Sequence, residues 1–152
     1  MYIFKIILKL ILKRLFFFVP NNFLNSFLKI FRSGNMNRYK YSRHVFFDRH
    51  FKKMQKYLDI KEPVIMELGP GNALTSSIFA KVVNSKKIYL VDSFDLANKN
   101  IALYKNIINE LPKDERKKFS EVNFQNLNSF LESINAKYYF NCLEDLKNID
   151  DN

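Results

Sequence analysis

Pro63-Val64-Ile65-Met66-Glu67-Leu68-Gly69-Pro70-Gly71-Asn72-Ala73 is the stretch on which the fold turns. Val64 to Leu68 is an apolar run of strand length introduced by Pro63. Two glycines then bracket a proline, the composition of a tight turn. A helical pattern follows, with Leu74, Ile78, Phe79 and Val82 on its apolar face and Asn84-Ser85 at its end. Ile88-Tyr89-Leu90-Val91 reads as a second buried strand that finishes at Asp92. Strand, helix and strand in this order predict two parallel strands of an α/β sheet.

Further along, Asp95 is placed to cap a long helix with Ala97, Ile101, Tyr104, Ile108 and Leu111 on one face and Pro112 as its stop. Lys113 to Lys118 reads as a solvated turn. Leu127, Phe130, Leu131 and Ile134 mark a short amphipathic helix, and Tyr138-Tyr139-Phe140-Asn141 a third strand.

The chain has 152 residues, 47% hydrophobic and 26% charged, enough for one domain with a core and too few for two large ones. A lone cysteine, Cys142, closes no intrachain disulfide, and two histidines offer no metal-ligand cluster. These counts point to a reducing, cytoplasmic setting. The net charge of +10 is unevenly spread. Residues 1–62 hold 14 Lys/Arg against 3 Asp/Glu, and residues 63–152 hold 11 against 12. A basic arm on a near-neutral body predicts a phosphate-rich partner surface, a lipid headgroup layer or a nucleic acid.

Within the arm, Tyr2 to Val19 is almost continuous Ile, Leu and Phe, interrupted by Lys5, Lys9, Lys13 and Arg14. The three lysines form one stripe of a helix whose remaining circumference is apolar, which suits an anionic membrane interface. Four cations near the middle disfavour a span at about 2.5–3.5 kcal/mol each. No small-residue cleavage site marks a signal peptide; packing on the protein's own body is the alternative. Phe23, Leu24, Phe27, Leu28 and Phe31 make a second amphipathic face, which Ser33-Gly34-Asn35 breaks. A third helix is predicted from Ser42 to Leu58, with Phe47, Phe51, Met54 and Leu58 inward and Arg49, Lys52, Lys53 and Lys56 outward. Before it, Arg38 to His44 interleaves aromatic and basic residues that either stack on a ring or pair with phosphate, or simply open a polar helix. The expected organisation is 1–33 basic amphipathic helices, 34–62 a basic helical lead-in and 63–152 the α/β body.

The chemistry gathers at the glycine turn. Glycines let a backbone approach a ligand closely, and a carboxylate at the end of a strand takes both hydroxyls of a ribose. Asp92 lies 23 residues beyond Gly69, near the spacing of about 20 that such sites use. A dinucleotide site would place a third glycine where Leu74 stands, and Glu67 would repel a pyrophosphate while favouring a cation. A positively charged ligand without phosphate is predicted.

Glu67-Leu68-Gly69-Pro70-Gly71 followed by Leu90-Val91-Asp92 resembles the first two motifs of class I S-adenosylmethionine-dependent methyltransferases, over about Val64 to Asp145. The resemblance implies S-adenosylmethionine as cofactor, with Glu67, Gly69 and Gly71 at its methionine end and Asp92 on its ribose. Ala73 replaces the glycine that often closes the motif. Asn141 or Cys142 stands where the family carries an acid near the adenine, and Asn141 is a candidate for the adenine amino group.

The implied fold is a Rossmann-like doubly wound parallel sheet, incomplete at its first three strands and preceded by a helical arm. The fourth and later strands would fall beyond Asn152, so the sequence reads as the cofactor-binding half of a truncated or split enzyme, or as a remnant. Val64 to Leu68 would then form an exposed edge, met by a complementary C-terminal half or another copy. The expected activity is methyl transfer to a small-molecule, lipid or glycan acceptor, with no catalytic base identified and peripheral membrane attachment expected. A noncatalytic peripheral membrane protein on a remnant scaffold is the competing class. An RNA methyltransferase is the alternative within the enzyme class, with nucleic acid less favoured because its backbone gives no reason for so much apolar surface in the arm.

Overall fold

The computed structural model describes residues 38–57 and 61–140. The expectations for the arm, Leu58, Asn141 and Cys142 lie outside these residues.

Three parallel strands form one sheet: β1 (Val64–Leu68), β2 (Lys87–Asp92) and β3 (Ala136–Phe140), in the order β1-β2-β3. Ile65 pairs with Ile88, and Leu90 with Tyr138. Helices pack on the face that carries Ile88, Leu90 and Ala136, making a small α/β fold. Helix α3 (Ser76–Val82) links β1 to β2 and buries Ile78, Phe79 and Val82, as its apolar spacing predicts. It ends at Asn84 in the left-handed region, φ 56°, where Ser85 N–H reaches Ala80 O and Asn84 N–H reaches Lys81 O. Asparagine tolerates that conformation and so turns the chain into β2.

The lead-in is continuous helix in three registers: α1 (Tyr39–His44), a π-helical segment (Val45–Phe51) and α2 (Lys52–Gln55). It starts at Tyr39, three residues before the expected Ser42. The inward residue is Phe46, while Phe47 and Phe51 are half-buried and Met54 is exposed. The π register explains the change. Its i→i+5 bonding brings residues five apart onto one face, and Phe46 and Phe51 stack at 5.8 Å with 16° between their rings. Phe46 also meets Phe79 of α3 at 5.7 Å, which ties the lead-in to the body's core.

The connection from β2 to β3 corrects two expectations. Asp95 caps no helix; its carboxylate pairs with Lys99 in a loop, and α4 (Ile101–Asn109) starts six residues later, where the Asn100 side chain accepts a bond from Ala102 N–H. The loop is fixed by tertiary contacts: Tyr138 OH accepts from Leu96 N–H and donates to Phe94 O, and Tyr104 OH donates to Asn98 O. Ala97 is buried as expected, but in this loop. The charged stretch after Pro112 is a short helix, α5 (Lys113–Arg116), continued as 3-10 turn Lys117–Phe119. Phe119 anchors that turn in the core. Helix α6 (Leu127–Ser133) is capped by Asn126, and β3 begins two residues before the expected Tyr138.

No helix among the described residues is long and apolar enough to cross a membrane.

Candidate functional site

The C-terminal ends of β1 and β2 and the turn after β1 form the site. Gly69 and Gly71 have φ of +73° and +72°, conformations that cost an L-residue about 1–2 kcal/mol. A side-chain carbon at either position would touch nothing among the described residues, so the need for glycine there is conformational and, among those residues, the turn's outer side is open.

Two hydrogen bonds close this turn onto β2, and a third ties it to the loop that follows. Gly69 N–H donates to Val91 O at 2.8 Å, and Gly71 N–H donates to Asp92 Oδ2 at 3.0 Å. Asn98 N–H then reaches Asn72 O at 2.8 Å, so the loops after β1 and β2 hold each other. Asp92 is 7% exposed, and its Oδ1 accepts from Ser93 N–H at 2.8 Å.

Glu67 sits diagonally across from Asp92 on the same face of the sheet, since it pairs with Leu90, two residues before Asp92. Its Oε2 accepts a bond from Ser76 Oγ at the start of α3. Burial pushes the Glu67 carboxyl above its usual range, with Asp92 adding to the rise; the Ser76 bond and nearby His50 oppose it. Among the described residues no hydrogen bond reaches its Oε1. Beside it lies a cavity of about 330 Å³, lined by Phe46, Phe51 and Met54 of the helical lead-in and by His50, Glu67 and Ser76. Thr75 Oγ1, fully buried at the mouth of α3, has no hydrogen-bond partner among the described residues.

The structure therefore brings Glu67, Gly69, Gly71 and Asp92 together, while Asn141 lies outside the described residues. Sequence reasoning missed Tyr138, which holds the segment after Asp92 through both functions of its hydroxyl. Burial raises that phenol to about 12, so it stays protonated and able to donate. A tyrosine within an aromatic strand run carries no local signal of such a role. Arg43, in the stretch read as stacking on a ring, pairing with phosphate or simply opening a polar helix, is engaged internally in that opening helix. Its guanidinium forms a fork with Glu115 at 2.6 and 2.8 Å and lies over the Phe47 ring at 4.7 Å. A separate cleft of about 500 Å³, bordered by Lys105, Lys113, Arg116 and Lys117, shares no residue with the glycine turn.

Compared with protein-family models, curated proteins and solved structures, the chain matches none.

Proposed function

We propose that this chain is the S-adenosylmethionine-binding portion of a methyltransferase with a partial Rossmann-like sheet. The observation that carries the reading is the glycine turn: two left-handed glycines, open on their outer side among the described residues, fastened to Asp92 at the C-terminal ends of parallel strands. Ligands of open α/β sheets bind in the crevice outside those ends. The residues present fit this cofactor. Asp92 stands at the C-terminal end of β2, where such sites place the carboxylate for a ribose. Glu67, a desolvated carboxylate with one oxygen lacking a hydrogen-bond partner among the described residues, favours a cationic group over a phosphate.

When bound, the cofactor supplies an electrophilic methyl on its sulfonium, which a nucleophile takes as the carbon–sulfur bond breaks and its electron pair stays on sulfur. The chain's own part is to hold and orient. Gly69 and Gly71 keep the backbone clear of the ligand, and Asp92 fixes the turn through Gly71 N–H. Glu67 places negative charge beside the site, and Ser76 holds its carboxylate in position. Pre-organisation of this kind lowers the ordering cost at binding. The proposed setting is cytoplasmic, with the basic arm attaching the protein to an anionic membrane surface; the acceptor is a small molecule, lipid or glycan.

Photo-crosslinking with methyl-labelled S-adenosylmethionine tests the reading. Label should attach to peptides spanning residues 67–76 or 90–93, with excess S-adenosylhomocysteine suppressing it. Absence of competable label, or label confined to other peptides, would overturn it.

A further inference from the structure

The cleft of about 500 Å³ away from the glycine turn is lined entirely by residues 105–124, from α4, α5, the 3-10 turn and the loop that follows. Four of its side chains are cations, Lys105, Lys113, Arg116 and Lys117, and none is acidic. Its floor is apolar: Ile108 and Phe119 are buried, Phe124 is half-buried, and Phe124 stacks on Phe130 of the core at 5.6 Å.

The fold, rather than the sequence, gathers this charge. Lys113 to Lys118 hold four cations and two acids, a nearly balanced stretch. Glu115 turns away to the lead-in helix, where it accepts both bonds of the Arg43 fork. Lys118 reaches the end of α3, donating to Val82 O and Asn84 Oδ1. Asp114 meets Lys117 at 3.3 Å, but both side chains are exposed, and such pairs contribute little. Arg116 Nη1 donates to Asn109 O at 3.2 Å, which fixes the guanidinium beside the cleft. Lys105 Nζ stands 5.2 Å from the centre of the Phe124 ring, so one cation is already held against the floor. Among the described residues Lys105 and Lys113 form no ion pair.

We propose that this cleft binds an organic phosphate, a monoester whose charged head meets the four cations and whose apolar body lies over Phe119 and Phe124.

Charge, shape and size select this class. A single carboxylate would leave most of the positive charge uncompensated. A phosphate monoester brings about 1.5 to 2 negative charges near neutral pH and three strong acceptor oxygens. Lysine and arginine donate charge-assisted hydrogen bonds to such oxygens. An inorganic anion would leave the apolar floor bare. A nucleic-acid backbone calls for cations strung along a surface, whereas these surround one apolar cleft. The volume is that of a small-molecule site. The same charged head occurs on soluble phosphate esters and on lipids that end in a phosphate monoester, and the two differ only in the body they carry.

Amide chemical-shift mapping of the full chain, titrated separately with phenyl phosphate, inorganic phosphate and monomeric short-chain phosphatidic acid, tests the proposal. Phenyl phosphate should shift amides of residues 105–124 saturably. Inorganic phosphate should shift the same amides at least about tenfold more weakly, because it has no apolar body to bury. Lys113→Gln combined with Lys117→Gln, both exposed and so compatible with folding, should weaken phenyl phosphate at least about tenfold. Lys53→Gln combined with Lys56→Gln, exposed cations outside the cleft, should leave its affinity unchanged. Tighter binding of phosphatidic acid than of phenyl phosphate at these amides would assign the site to a lipid head, and weaker binding to a soluble ester; either supports the cleft. No saturable shift at residues 105–124, shifts centred on other residues, or equal weakening by the two pairs of substitutions would overturn the proposal.

Discussion

Asp92 Oδ2 accepts a 3.0 Å hydrogen bond from the backbone N–H of Gly71, a residue 21 positions earlier, and so joins the end of β2 to the turn after β1. The carboxylate that the sequence marks as a ligand contact is thus also a structural clamp. Gly71→Ala isolates the backbone half of this arrangement. With φ at +72° and nothing among the described residues for a new carbon to strike, the substitution should cost about 1–2 kcal/mol through conformation alone. Urea denaturation measures the cost, and an unchanged midpoint would contradict the left-handed turn.

The pattern around this clamp was legible in sequence because each signal was local. Val64 to Leu68, the two glycines and the 3.6-residue spacing of Ile78, Phe79 and Val82 each identify an element without reference to the rest of the chain. The start of α4 was not legible. Asp95 and Asn100 are both competent caps, and the choice is made by Tyr138, which binds the intervening backbone from β3, together with Tyr104 of α4 itself. Phe46 was missed for a different reason, since a pattern sought at α-helical period cannot show a π-helical segment.

Glu67→Gln separates stability from binding. Because burial raises the Glu67 carboxyl, the folded chain holds that proton more tightly than the unfolded chain. Stability is therefore fullest below the unfolded value of about 4.3 and falls as pH rises through the raised folded value. Glutamine removes the penalty while still accepting from Ser76. The variant should be more stable than wild type at pH near 7.5, by urea midpoint, and little changed at pH near 4. Its affinity for S-adenosylhomocysteine should fall even as its stability rises. A loss of stability at the higher pH would contradict the desolvated carboxylate.

Tyr138→Phe removes one hydroxyl and leaves Leu96 N–H and Phe94 O without it. A loss of about 1–3 kcal/mol is expected, with faster amide exchange at Leu96 than in wild type. In the wild-type protein the phenol should titrate only near 12, read from tyrosinate absorbance. Unchanged exchange at Leu96 in the variant would remove Tyr138 from its positioning role.

Arg43→Ala should destabilise by about 1–3 kcal/mol, because it strands the partly buried Glu115 and strips the Phe47 ring of its cation. Arg43→Lys keeps the charge but has no planar fork, and should recover only part of the loss. Thermal denaturation of the three proteins distinguishes these effects. Equal stability of the lysine variant and wild type would show that the fork geometry contributes nothing.

Calorimetric titration of S-adenosylhomocysteine into the full chain and into Asp92→Asn tests the methyltransferase reading most directly. Asparagine keeps an acceptor for a backbone amide but loses the charge and part of the acceptor capacity that the ribose hydroxyls would use. The wild type should bind one ligand per chain, and Asp92→Asn should bind it at least about tenfold more weakly, a difference of about 1.4 kcal/mol. No binding by the folded wild type, or equal affinity in the two proteins, would contradict the assignment of Asp92 and the glycine turn as the cofactor site.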